Sequence, residues 1–252
     1  MAGQIEVWFQ PKIEVPTGTV AGAEALLRRR HPVHGVQGPE EILAAADRFA
    51  MTAKITRLVL HGALKACAEW LAAGRRVPVA VNVTPTDLAD PSLPECVGEL
   101  LDAYALSGDL LILEITEGAV LQDLTGTSEV IERLRRLGVA LSIDDFGVGY
   151  SSMARLVQLQ LAELKVDMSL VLGLPVLAEA SAAVKAIVDL GHALGMRVVA
   201  EGVEDTIAYE QLAHLGCDLA QGYYLGRPMP ASDLERWLSS APWGLRTEFR
   251  AA

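Results

Sequence analysis

Apolar runs along this chain repeatedly stop on a polar side chain: Glu24, Asn82, Glu114, the pair Asp144-Asp145, Lys165, Glu201 and Gln221. Several of these runs follow a helical pattern closed by glycine, at Gly74, Gly138, Gly195 and Gly216, and glycine readily takes the backbone of a helix C-cap. A repeated unit of helix, glycine, link and buried strand, with no break in composition, predicts one parallel-dominated α/β domain. Its strands read as near-continuous apolar stretches, as expected when both faces are covered. Successive strands that each deliver a polar group to the same end describe the mouth of a (β/α)8 barrel. A length of 252 residues suits one such barrel.

The opening departs from that pattern. Residues 5–15 and 20–28 read as strands around a turn at Pro16-Thr17-Gly18, so a hairpin is expected and one strand near the N-terminus runs against the rest. Helical patterns cover 39–48, 53–73, 129–137, 182–194 and 207–215, and strands cover 77–83, 110–116, 139–143, 163–167, 198–200 and 219–220. The reading is a single domain over 1–252, with its core at about 5–240 and a loosely held tail over 241–252. A strand this close to the first residue is expected of a piece whose upstream neighbours lie outside it.

The net charge of −11 argues against binding a DNA or RNA duplex through its backbone. A phosphate substrate therefore requires metal ions to reverse the sign of the acid cluster. Cys67, Cys96 and Cys217 have no paired spacing, which fits a reduced, cytoplasmic protein. No signal-peptide pattern opens the chain. The apolar runs around 170–178 and 184–194 are interrupted by Pro175, Lys185 and Asp189, so no membrane segment is expected.

Glu24, Asn82, Glu114, Asp144 and Asp145 are all oxygen donors, and no His or Cys adjoins them. Such a set favours Mg²⁺ or Mn²⁺ over zinc. Adjacent aspartates let one carboxylate bridge two ions about 3.5–4 Å apart, the clamp used for in-line phosphoryl displacement. A Schiff-base role for Lys165 needs a lowered pKa, whereas surrounding carboxylates raise it. Lys165 is therefore read as a protonated group that positions a water or stabilises developing charge. The structural alternative is an ion pair with Glu163 or Asp167. Glu201 is suited to orient or deprotonate the attacking water, or to hold a second metal indirectly. Glu204 reads equally as a cap for the following helix. Gly147-Val148-Gly149-Tyr150-Ser151-Ser152 lacks the Lys-Ser/Thr ending of a P-loop and reads as a mobile loop tied to Asp144 and Asp145. His31, His34, His61, His192 and His214 show no converging spacing and read as structural.

Taken in order, these motifs resemble the EAL-domain family of cyclic-di-GMP phosphodiesterases. The resemblance runs from Phe9-Gln10-Pro11 to Pro228, through Glu24-Ala25-Leu26-Leu27-Arg28, Val81-Asn82-Val83, Glu114-Ile115-Thr116-Glu117 and Asp144-Asp145-Phe146-Gly147. It continues through Lys165-Val166-Asp167, Glu201-Gly202-Val203-Glu204 and Gln221-Gly222-Tyr223. It implies a TIM-like β/α barrel with one antiparallel strand, and metal-dependent hydrolysis of one phosphodiester of cyclic-di-GMP to linear pGpG. It implies two Mg²⁺ or Mn²⁺ ions, one on Glu24, Asn82, Glu114 and Asp144, the second on Asp144 and Asp145. Lys165 and Glu201 would position and activate the water, with Glu201 as base or with a metal-bridging hydroxide attacking directly. Glu117 would anchor the loop over 144–152. Gln10, Leu26, Arg28, Asp167, Glu204, Gln221 and Pro228 would contact or support the substrate. A homodimer, and sensor or diguanylate cyclase domains outside this chain, also follow from the resemblance.

Four departures stand out. Val148 replaces a Thr, Met153 a Leu and Met168 an Arg, and Asp47-Arg48-Phe49-Ala50 replaces a segment that commonly reads Glu-x-x-Gly. They bear on loop dynamics, dimer coupling and activity level, since the acids and Lys165 are all kept. The alternative expectation is a catalytically weak or inactive cyclic-di-GMP receptor. A lyase acting through Lys165 is a further one, against which the acid cluster argues.

Overall fold

The computed structural model describes residues 4–49, 51–118, 127–149, 153–240 and 244–245. It opens with a long antiparallel pair, β1 (Gln4–Glu14) and β2 (Thr19–His31), and a short strand, β3 (Gly35–Gln37), folds back on the end of β2. Helices α1 (Glu40–Arg48) and α2 (Thr52–Ala72) lead to β4 (Val79–Asn82). Two shorter helices, α3 (Pro85–Leu88) and α4 (Leu93–Ala103), precede β5 (Leu111–Thr116). The units α5 (Thr127–Arg136) with β6 (Ala140–Phe146), and α6 (Met153–Leu159) with β7 (Glu163–Val166), follow. Then come α7 (Met168–Gly173), α8 (Ala178–Ala193) and β8 (Arg197–Ala200), and α9 (Thr206–Leu215) with β9 (Leu219–Ala220). The chain finishes with β10 (Met229–Pro230) on β1, α10 (Ala231–Ser240), and β11 (Gly244–Leu245) on β2.

Eight strands close into a barrel in the order β1, β2, β4, β5, β6, β7, β8, β9. From β2 to β9 every neighbouring pair is parallel. β1 runs antiparallel to both β2 and β9, so the expected reversed strand is β1. Gly74, Gly138, Gly195 and Gly216 all have positive φ where the helices end, as the glycine-stop pattern predicts. The expected tail lies outside the described residues except for the Gly244–Leu245 pairing.

Alternation along the strands sorts the side chains into two layers. Val79, Val81, Leu111, Leu113, Ile115, Leu141, Ile143, Leu164, Val166 and Val198 join the helices in one apolar cluster. Each such side chain stabilises the fold by about 1.5–3 kcal/mol when fully buried. Phe9 and Trp70 meet edge to face at 5.0 Å between ring centroids, and both are buried; the pair fastens α2 over β1. The alternate positions Asn82, Glu114, Asp144 and Lys165 are polar and line the other layer.

The first of the two shorter helices, α3, has a local cause that the apolar pattern did not reveal. The Thr84 side chain accepts from Asp87 N while the Asp87 carboxylate accepts from Thr84 N, a capping box with Pro85 at the first helical position.

Candidate active site

Each of the eight barrel strands contributes a polar side chain toward one rim. These are Gln10 on β1, Glu24 on β2, Asn82 on β4, Glu114 on β5, Asp144 on β6 and Lys165 on β7, with Glu201 and Gln221 one residue beyond β8 and β9. The register aligns them, with Gln10 opposite Glu24, Asn82 opposite Glu114, and Asp144 opposite Thr116. Gln10 and Glu24 reach this rim from the middle of their strands, because the β1–β2 pair runs on past it to Gln4 and Arg30.

Lys165 is the hub. Its side chain is 1% exposed, and its Nζ lies 2.7 Å from Glu201 Oε1, 2.9 Å from Glu114 Oε2, 3.0 Å from Asp144 Oδ1 and 3.7 Å from Glu24 Oε2. An amide girdle holds Glu24. Asn82 Nδ2 donates to its Oε1 at 2.7 Å and Gln221 Nε2 to its Oε2 at 2.6 Å. Gln221 also donates to Gln10 Oε1, and Gln10 donates to the Gly226 carbonyl.

Burial alone would lower the Lys165 pKa, but Glu114, Glu24, Glu201 and Asp144 outweigh it and hold the pKa well above the ordinary value. This is the opposite of what a Schiff-base lysine needs. Burial also pushes the Glu201 carboxyl up to about 8, with Asp144 and Glu24 reinforcing the rise and Lys165 opposing it. Glu24 and Asp145 are raised for the same first reason, burial. Glu114 goes the other way. Burial would raise it, yet Lys12 and Lys165 bring it down to about 2.

Asp144, Asp145 and Glu201 each present an oxygen within 4.8 Å of the others, an arrangement that can hold a metal ion. Consecutive strand residues normally face opposite sides. Here the β6–β7 register breaks between Ile143 and Phe146, and Asp145 takes φ +55°, which brings both carboxylates together. The donors are all oxygen, so the set suits a hard divalent cation. Beyond Asp145 the turn is fastened by Glu117, whose Oε2 accepts from Gly147 N and Gly149 N, both at 3.2 Å. Residues 150–152 of the expected loop lie outside the described residues.

A cleft of about 230 Å³ opens beside the hub, lined by Gln10, Glu24, Met168, Glu201, Glu204 and Tyr223 among others. Asp167 caps α7, its Oδ1 accepting from Ser169 N at 2.8 Å. Arg28, partly exposed, donates to the Leu27 carbonyl. Leu26 and Pro228 are partly buried, Leu26 opposite Trp8 on β1. Two alternatives from the sequence are corrected. The cap of α9 is Asp205, which accepts from Ala208 N, and not Glu204. Glu163 pairs with Lys12 and Arg197, and not with Lys165. The histidines bond elsewhere: His61 to Tyr104, His192 to Asp218, His214 to the Glu210 carbonyl, and His31 stacks on His34.

Sequence reasoning missed Lys12 and offered Glu163 only as a partner for Lys165. Lys12 is 2% exposed, with Nζ 2.7 Å from Glu114 Oε1 and 3.2 Å from Glu163 Oε2. The available signal was alternation: Lys12 sits two residues from Gln10 on the same strand and so faces the same side.

The EAL domain family model matches residues 1–228. Among curated proteins, the chain is 39% identical over 232 residues to the bifunctional diguanylate cyclase/cyclic di-GMP phosphodiesterase MucR of Pseudomonas aeruginosa, covering 92% of this chain and 34% of that protein. It is 33% identical over 228 residues to the cyclic di-GMP phosphodiesterase RocR of the same organism, covering 90% of this chain and 58% of RocR. The chain thus spans about a third of the length of MucR. Among solved structures, the PaMucR phosphodiesterase in complex with c-di-GMP superposes with a TM-score of 0.87 at 39% identity, covering 92% of this chain and 94% of that one. The FimX EAL domain from Pseudomonas aeruginosa bound to c-di-GMP gives a TM-score of 0.81 at 26% identity, covering 89% and 90%. Among the described residues, no helix is long and apolar enough to cross a membrane.

Proposed function

The chain belongs to the EAL domain family, and from that premise we propose that it hydrolyses one phosphodiester of cyclic-di-GMP to linear pGpG in the cytoplasm. The observation that carries this reading is the convergence of Glu24, Glu114, Asp144 and Glu201 on the buried Lys165 ammonium. On this reading two Mg²⁺ or Mn²⁺ ions would be held at the all-oxygen rim, one by Glu24, Asn82, Glu114 and Asp144 and the other by Asp144 and Asp145. Such ions would neutralise phosphate charge and make a water acidic enough to attack at neutral pH.

The chain's own residues do the rest. Glu201, as the carboxylate that neighbouring cations would favour, accepts the proton of the attacking water. Lys165 keeps its proton throughout, orients that water and balances charge as the bridging P–O bond breaks. Glu117 holds the turn after Asp145. Gln10 and Gln221 present amides, and Arg28 a guanidinium, to the nucleotide. Leu26 and Pro228 offer apolar contacts, and Asp167 and Glu204 support the ligand. Incubation with cyclic-di-GMP and Mn²⁺ or Mg²⁺ should yield pGpG. Binding without any pGpG would replace the enzyme with a receptor.

A further inference from the structure

A line of alternating charges runs through the barrel from the end opposite the catalytic rim. Arg197, the first residue of β8, has its side chain about half exposed beside a cavity of about 640 Å³ at that end. Its Nη2 donates to Glu163 Oε1 at 2.5 Å. Glu163 Oε2 accepts from Lys12 Nζ at 3.2 Å, Lys12 Nζ donates to Glu114 Oε1 at 2.7 Å, and Glu114 Oε2 accepts from Lys165 Nζ at 2.9 Å. Lys12, Glu163, Glu114 and Lys165 are each no more than 2% exposed.

We propose that Lys12 is a positioning residue: by holding one oxygen of Glu114 it fixes the plane of the carboxylate whose other oxygen meets Lys165, and Glu163 with Arg197 holds Lys12 in place. The inference rests on the proposed phosphodiesterase site. A carboxylate with two cations, one on each oxygen, has a single favourable orientation. Without Lys12 it can rotate, and both oxygens compete for Lys165. Glu114 and Glu163 flank the buried Lys12 ammonium and offset the cost of burying its charge. Groups that orient a metal ligand from behind typically alter metal affinity or activity by about 10–100-fold when removed.

Removing Lys12 alone leaves two buried carboxylates short of a partner, which can unfold the chain for reasons unrelated to the site. The test therefore uses Lys12→Met/Glu163→Gln, which removes both charges. Three quantities are read against wild type: the thermal midpoint, Mn²⁺ affinity by calorimetry without nucleotide, and kcat and KM for cyclic-di-GMP. The expected result is a midpoint close to wild type, Mn²⁺ binding weakened by about tenfold or more, and a loss in kcat with KM little changed. Mn²⁺ affinity within twofold of wild type in the folded double variant overturns the proposal and leaves the phosphodiesterase reading intact. A wild-type chain that neither binds Mn²⁺ nor forms pGpG ends both. If the double variant does not fold, Arg197→Met carries the test, since its side chain is half exposed. Weaker Mn²⁺ binding by about twofold or more supports the role, and unchanged binding overturns it.

Discussion

Lys165 Nζ stands 2.7 Å from Glu201 Oε1, the shortest of its four carboxylate contacts. The pairing joins a lysine that keeps its proton to an acid whose carboxyl is pushed up to about 8. Environments that drive two titrating groups apart in this way separate the proton acceptor from the fixed cation.

Replacing Lys165 with Ala removes the central cation but leaves the nucleotide-facing groups of the cleft. Turnover is expected to fall about 10²-fold or more, with KM within a few-fold of wild type. Steady-state kinetics checks the split. Equal losses in kcat and affinity would move Lys165 into ground-state binding.

Glu24→Ala and Asp144→Asn each take a charge from the acid rim. Turnover is expected to drop to about a hundredth or below, and chelation of the wild-type protein should do the same. A rate in either variant that is unchanged and indifferent to metal would count against the two-ion reading.

The folded chain without metal should lose stability as pH rises toward 8. Glu201 has a folded pKa of about 8 against an ordinary 4.5, so its contribution is full below about 4.5 and lost as pH climbs through 8. Glu24, also raised, acts in the same direction. Glu114, lowered to about 2, contributes fully above about 4.5 and loses that contribution only as pH falls toward 2. Thermal midpoints measured from about pH 5 to about pH 8 should decline without metal and flatten or rise with saturating Mn²⁺, because cations select the deprotonated carboxylates. A rising midpoint in the metal-free protein would falsify this account of the acid rim.

Glu117→Gln keeps the side-chain shape and removes the charge that draws in Gly147 N and Gly149 N. A charge-assisted hydrogen bond is worth about 1.5–3 kcal/mol, so the turn loosens while the barrel stays folded. The expected signature is kcat lower by about tenfold, faster amide exchange at Gly147 and Gly149, and a thermal midpoint lower by a few degrees at about 2–4 °C per kcal/mol.

The barrel was legible because its strands advertise themselves: an apolar run, then one polar residue, then a helix closed by glycine. Glu24, Asn82, Glu114, Asp144, Lys165, Glu201 and Gln221 all followed from that rule. The reversed strand followed from the tight turn at Pro16-Thr17-Gly18. Lys12 and Glu163 were opaque because their importance lies in pairing across 151 residues, which no local pattern records. The helices α3 and α4 were hidden for a different reason. Their start is set by the Thr84–Asp87 box and by prolines, and the four residues of α3 are too few to show an apolar stripe. Asp205 rather than Glu204 caps α9, a choice decided by backbone geometry that neighbouring acids in a sequence do not disclose.

The reversed first strand has a consequence for synthesis on the ribosome. Gln10 meets Gln221 across 211 residues, and Glu24 meets it across 197, so the earliest and latest barrel strands must both have emerged before this rim is complete. The rim therefore closes only after Gln221 has left the ribosome, and assembly waits on one long-range encounter of the kind that slows folding.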